Sequence, residues 1–269
     1  MERYELISSA VVADTIPVQK YKSKETGLNV FFANVDGPVV NGYFCLATEA
    51  HDDDGLPHTL EHLIFLGSEE YPYKGMLDQF ANRCLATGTN AWTDVDHTAY
   101  TINTAGSEGF LNIMTIYLDH IIYPTITETG YTTEVHHVNG EGEDAGIVYC
   151  EMQARENLEC SLVNYHFLQC MYPGCGYKSE TGGIMKNLRT TCSYEKVCNY
   201  HKDFYRPDNL CLIITGMVDP KDVFERLKPF EEKIKSKVRI QRSIFWPKRL
   251  IFSQSIFLIS SLFSWHFIA

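Results

Sequence analysis

The sequence predicts an α+β fold, a largely antiparallel sheet covered by helices. Three observations carry this. Short β-rich runs occur in pairs split by turn residues, residues 16–22 with 28–35 and residues 89–93 with 98–103. Amphipathic helical stretches lie between and after them. Strands and helices do not alternate strictly, as they would in a doubly wound parallel sheet. At 269 residues, with 45% apolar and 21% charged residues, the chain can bury a substantial core, as one large domain or two small ones.

Taken in order, the first two strands are separated by Lys24-Glu25-Thr26-Gly27, and Asp36-Gly37-Pro38 makes the next break. Residues 39–48 form a third strand candidate. After an acidic loop, Gly55 to Gly67 reads as a helix. Residues 75–86 read as a second, with Leu77, Phe80, Ala81 and Cys84 on its apolar stripe. Asp94-Val95-Asp96-His97 joins the strands at 89–93 and 98–103. Residues 110–122 form an amphipathic helix that buries Leu111, Met114, Leu118 and Ile121. A polar connection leads to one long helical stretch over 144–171, then a Gly-rich link over 172–183 and a helix over 194–204. Residues 210–215 are a buried strand ended by Gly216, and a charged amphipathic helix over 223–237 follows. The remaining tail is basic to Arg249 and then uncharged apart from His266. It is about as long as a membrane span, but five serines, Gln254 and His266 dilute it, so membrane contact is not expected.

A net charge of -11 argues against nucleic acid and anionic membranes as partners. Nine scattered cysteines without a C-x-x-C pair read as reduced thiols, best placed as small core residues. The N-terminal MERYELISSAVVADT has neither an apolar signal core nor the Arg-rich character of a transit peptide, so the expected location is cytoplasmic.

The chemistry gathers on the helix that opens at Gly55. Pro57 suits its first turn, Gly67 suits its end, and Asp52, Asp53 and Asp54 precede it, where negative charge favours the helix dipole. His58, Glu61, His62 and Phe65 fall at i, i+3, i+4 and i+7, on one face. Two imidazoles one turn apart can grip a zinc ion, with a carboxylate beside them to take a proton from water. The order H-x-x-E-H is the inverzincin pattern. A catalytic zinc needs a third protein ligand. The candidates are Glu141, Glu143 and Glu151. The first two lie in a Gly-rich loop, whereas Glu151 lies on a helix that Ile147, Val148 and Leu158 would dock on the core, a more rigid support. Asp144, seven residues earlier on the same face, could orient a ligand from behind. His51, His97, His136 and His137 are left out as ligands.

His58-Thr59-Leu60-Glu61-His62, then Asn90-Ala91-Trp92-Thr93 with Asp96, Thr98 and Tyr100, then Gly146-Ile147-Val148-Tyr149-Cys150-Glu151-Met152, together resemble the pitrilysin/insulinase family of zinc peptidases. The segment around Glu151 is most similar to the presequence-protease branch. The resemblance implies that Glu151 is the third zinc ligand, and that Asn90, Ala91, Trp92 and Thr93 form an edge strand receiving the substrate peptide as an added strand. An open edge does offer unpaired N–H and C=O groups to an extended peptide. Tyr205-Arg206-Pro207-Asp208-Asn209-Leu210 followed by Gly216 resembles the end of the family's first domain. The chain departs from the pattern in two places. The spacing from His62 to Glu151 is longer than the commonest one, as it is in the presequence-protease branch, and Asp144 stands where a glutamate is usual. The resemblance covers roughly residues 15 to 235. A metallopeptidase domain is therefore expected over 1–235, with 236–269 outside the fold. The expected function is zinc-dependent endopeptidase action with Glu61 as general base; the alternative is a non-catalytic, peptide-binding or structural subunit of the same fold. Members of the family build a closed chamber from several such domains. This chain has room for one, so a second homologous domain or subunit is an implied partner.

Overall fold

The computed structural model describes residues 3–237; the expected tail over 236–269 lies outside the described residues but for its first two. The elements in order are β1 (Tyr4–Val12), β2 (Ile16–Ser23), β3 (Asn29–Ala33), β4 (Val39–Ala47), α1 (Leu56–Ile64), α2 (Met76–Arg83), β5 (Ala86–Thr93), β6 (His97–Ala105), α3 (Ser107–Ile122), α4 (Glu128–Glu134), β7 (His137–Val138), β8 (Asp144–Ala145), α5 (Ile147–Arg155), α6 (Glu159–Met171), α7 (Met185–Thr190), α8 (Tyr194–Phe204), β9 (Leu210–Thr215) and α9 (Pro220–Lys237). Seven strands form one sheet in the order β1-β2-β3-β9-β4-β6-β5. Every neighbouring pair is antiparallel except β3 with β9. This is the α+β, largely antiparallel architecture the sequence predicts.

Alternation decides which face meets the helices. Val30 and Phe32, Val40, Phe44 and Leu46, Tyr100 and Ile102, and Leu210, Leu212 and Ile214 all turn into the main core. Helix α3 packs on that face, burying Phe110, Met114, Leu118 and Ile121 almost completely. Gly42 interrupts β4 because a Cβ there would sit 2.3 Å from the Phe110 ring. The Tyr205–Leu210 motif also gains a structural account. Asn209 donates from Nδ2 to the carbonyls of Ala47 and Phe204, both at 2.8 Å, and so seats β9 beside β4. The buried hydroxyls of Tyr205 and Tyr100 meet at 2.9 Å beneath α1.

Several sequence expectations need correction. The stretch expected as one helix over 144–171 divides into β8, α5 and α6. Gly146 has φ 131°, and a Cβ there would lie 2.4 Å from the Val135 carbonyl, so the chain turns sharply and the helix starts at Ile147. Helix α6 begins afresh after an extended Leu158, while Glu156 accepts a 2.6 Å bond from the Met185 amide. The docking face of α5 is Val148, Tyr149 and Met152, whereas Ile147 and Leu158 are about half exposed. The three aspartates precede α1 as expected, and two of them also make tertiary bonds. Asp54 is buried and accepts from Asn187 (2.9 Å), Thr191 (2.5 Å) and Lys196, while Asp53 accepts from the Glu180 amide (2.8 Å) and the Tyr165 hydroxyl (3.0 Å). They tether α1 to the segments that follow α5. Of the nine cysteines, Cys45 and Cys192 are buried, while Cys150, Cys160 and Cys170 are exposed. Among the described residues, no helix is long and apolar enough to cross a membrane.

Candidate metal centre

Helix α1 opens at Gly55, whose φ of 70° brings the chain against the 182–183 backbone; a Cβ would lie 2.5 Å from the Gly182 carbonyl. Pro57 occupies the first turn. Leu60, Leu63 and Ile64 anchor the helix in the core. This leaves His58, Glu61 and His62 on the side facing a cleft of about 610 Å³, whose walls also include β5, α5 and the 180–182 loop. Helix α5 carries Glu151 to the same cleft.

The donor atoms converge. His58 Nε2 and His62 Nε2 are 3.2 Å apart, and Glu151 Oε2 lies 3.3 Å from the first and 3.6 Å from the second. Donors about 2.1 Å from a tetrahedral metal would be about 3.4 Å from one another, so the set fits the edge lengths of such a site. These three side chains are the group able to hold a metal among the described residues. Burial, and then the neighbouring His62 ring, push His58 down to about 4, so its imidazole is neutral at pH 7 with a lone pair to offer. Glu141 and Glu143 stay in the turn between β7 and β8, where their amides bond Asn139 Oδ1.

Glu61 is buried on the same helix face. Its Oε2 accepts a 2.6 Å bond from Thr93 Oγ1, at the end of β5. Burial lifts its carboxyl to about 7; the Thr93 hydroxyl works against this, Glu151 adds to it and Arg155 opposes it. Arg155 sits one turn beyond Glu151 and lines the cleft, a neighbour that the sequence reading did not single out. Strand β5 is the outermost strand on this side of the sheet, which places Asn90, Ala91, Trp92 and Thr93 along its edge and all four on the cleft wall.

The expected position of Asp144 is not met. It belongs to β8, shares no helix face with Glu151, and is engaged by His136 Nε2 (2.8 Å), the Tyr149 hydroxyl (3.2 Å) and Arg189 (3.3 Å). Its bond to Tyr149 braces the start of α5, and neither His58 nor His62 is among its partners. The carboxylate behind the histidines is Glu134, at the end of α4. It is buried, lies 3.9 Å from His62 Nδ1 and bonds Lys74 Nζ at 2.7 Å. Its sequence, in a run of threonines without apolar period, gave no signal of this.

Residues 47–161 match the family model described as Insulinase (Peptidase family M16), and residues 191–256 match the Peptidase M16 inactive domain. An uncharacterized protein of Caenorhabditis elegans is 50% identical over 81% of this chain, which spans 22% of that protein. The mitochondrial presequence protease of Candida albicans is 28% identical over 84% of the chain, which spans 23% of it. The crystal structure of pitrilysin superposes with a TM-score of 0.67 at 14% identity, over 83% of this chain and 24% of that one, a likeness of fold. The chain thus spans about a fifth of the length of the curated relatives it matches. With both family models placed on this sheet and this helix pair, the chain belongs to peptidase family M16, and its described residues form a domain of the family's N-terminal kind.

Proposed function

We propose that the domain, over residues 1–235, is the zinc-binding part of a metalloendopeptidase, with His58, His62 and Glu151 as metal ligands and Glu61 as general base. The observation that carries this reading is the convergence of the three donor atoms at tetrahedral spacing beside a buried carboxylate on the same helix. A bound zinc supplies Lewis acidity toward a carbonyl oxygen and activation of water. The rest of the work falls to this chain's own residues. Glu61 takes the proton of the attacking water and returns it to the leaving amine. Thr93 fixes the plane of that carboxylate by holding one of its oxygens. The edge of β5 at Asn90–Thr93 takes the peptide as an added strand, which lays the scissile bond across the cleft. Glu134, 3.9 Å from His62 Nδ1, favours a proton on that nitrogen by its charge and so leaves Nε2 to the metal. The presequence proteases among the relatives are named mitochondrial or chloroplastic, so the relatives lend no support to the cytoplasmic location expected from the sequence.

Glu134→Gln is expected to weaken zinc binding about 10- to 100-fold, the usual worth of such outer partners. Lys74 is mostly exposed, so losing its carboxylate costs the fold little. Competition with a chromogenic chelator measures the affinity, and an unchanged value would remove Glu134 from the centre.

The relatives are about five times longer, and in this reading the remaining substrate contacts come from a further homologous domain or subunit. Losing one preorganised oxyanion donor typically costs about 10²–10³-fold, and loss of substrate positioning a comparable factor. The purified chain should therefore bind stoichiometric zinc yet hydrolyse unstructured peptides at least about 100-fold more slowly than an ordinary peptidase. Metal analysis with a peptide-hydrolysis assay tests both halves of the statement. Absence of zinc defeats the metallopeptidase reading, whereas ordinary turnover shows that one domain suffices.

A further inference from the structure

The turn between β5 and β6 carries a chain of hydrogen bonds that the proposed chemistry does not use. Trp92 Nε1 lies 3.0 Å from His97 Nε2. His97 Nδ1 lies 2.7 Å from Asp96 Oδ1, and the Tyr177 hydroxyl donates to Asp96 Oδ2 at 2.8 Å. An indole N–H can only donate, so His97 Nε2 must accept, and the ring proton must sit on Nδ1, pointing at Asp96. The carboxylate thus selects the one neutral tautomer able to receive Trp92. His97, and after it Tyr177, hold the Asp96 carboxyl below its usual range, which keeps the acceptor charged.

One end of this chain, Trp92, lines the cleft, and the other, Tyr177, lies three residues before the 180–182 segment of its wall. Trp92 belongs to the edge strand and directly precedes Thr93, whose hydroxyl holds Glu61. Its ring also meets Tyr43 edge-on, on the sheet face away from the main core. Tyr177 lies in the short turn Gly176–Lys178, and the residues just after it, Glu180 to Gly182, line the cleft beside His58. The Gly176 amide is itself bonded to Glu49 Oε1 at 2.8 Å, so this turn is fastened at two points.

We propose that Asp96 and His97 are positioning residues that lock the Trp92 indole, and through it the end of the peptide-receiving strand, while Tyr177 ties the turn that leads into the 180–182 segment to the same carboxylate. The proposal rests on the reading of β5 as the peptide strand and specifies what sets its geometry. An edge strand is paired on one side only, so its last residues would fray without a side-chain anchor. Here the anchor on one side is His97 and on the other Glu61.

The test uses the full chain with Trp246 and Trp265 replaced by Phe and labelled with ¹⁵N, so that one indole N–H resonance remains. In parallel, binding of a fluorescein-labelled, unstructured 20-residue peptide is followed by anisotropy, with Glu61→Gln as background to prevent cleavage. The Trp92 N–H should exchange slowly with water in the parent. His97→Ala should make it exchange fast and weaken peptide binding about fivefold to tenfold, the worth of about one hydrogen bond. His97→Gln, which keeps an acceptor near the Nε2 position, should restore both, and Tyr177→Phe should weaken binding while leaving the indole protected. Zinc content should not change in any of them. A His97→Ala chain with the indole still protected, or with the indole released and peptide affinity unchanged, overturns the proposal; so does failure of His97→Gln to restore. A parent that binds no peptide overturns instead the reading of β5 as peptide strand, and with it the role given to the relay.

Discussion

Glu151→Gln is expected to lose zinc, with affinity falling by more than about 100-fold, since even outer partners of metal ligands are worth about 10- to 100-fold. The change is nearly isosteric, and it removes the one anionic donor of the three. The Glu151 side chain is about half exposed, and Val148, Tyr149 and Met152 hold α5 on the core without its help. The fold should therefore survive, with thermal unfolding of the metal-free chains coinciding for variant and parent. Glu141→Gln and Glu143→Gln are the matched controls, because both side chains belong to the exposed β7–β8 turn. Zinc content after gel filtration distinguishes the three. Should Glu143→Gln strip the metal while Glu151→Gln retains it, the ligand set is wrong.

The parts of this site that were legible in the sequence are those fixed by helical periodicity. The spacing of His58, Glu61 and His62 determines that they share a face wherever the helix lies. An apolar stripe on the helix predicted over 144–171 favours Glu151 over Glu141 or Glu143 as the proposed ligand, although two of the three stripe residues, Ile147 and Leu158, are exposed. What the spacing does not contain is tertiary approach. Glu134 reaches His62 because α4 packs against α1, and nothing in Glu-Thr-Gly-Tyr-Thr-Thr-Glu announces that packing. Asp144 was misplaced because a helical pattern runs through Gly146, where a close approach to Val135 forces the chain out of helix. Strand β1 escaped notice for another reason: it lies on the far edge of the sheet, and its mostly exposed residues carry no alternation. The edge position of β5 depends on strand order across the whole sheet, so it entered as an implication of family resemblance and not from local pattern.

The fold also accounts for why the proposed base and the proposed ligands can be told apart by experiment. Helix α1 presents His58 and His62 toward α5, and Glu61 toward the end of β5, so one helix serves two neighbours. The proposed metal set spans α1 and α5, whereas the proposed base is held by a sheet hydroxyl. A substitution at Glu61 therefore perturbs the link between helix and sheet without touching the contact between the two helices.

On that ground Glu61→Gln should keep full zinc content and lose about 10²–10⁴-fold of whatever hydrolysis the parent shows, the usual worth of a positioned general base. Gln retains a carbonyl oxygen to accept the Thr93 hydroxyl, so the strand end stays anchored and substrate affinity should change little. It cannot take a proton at neutral pH, so the loss should fall on kcat and not on KM. The comparison needs long incubations at high protein concentration if the single domain turns over slowly. It becomes more sensitive once a partner half is supplied. Loss of zinc together with activity would make Glu61 a ligand or a structural element of α1. Retention of activity with zinc in place would move the base elsewhere in the cleft. Zinc bound by parent and variant alike, with no hydrolysis by either and none on adding the second half, would leave the domain a peptide-binding subunit that kept its metal.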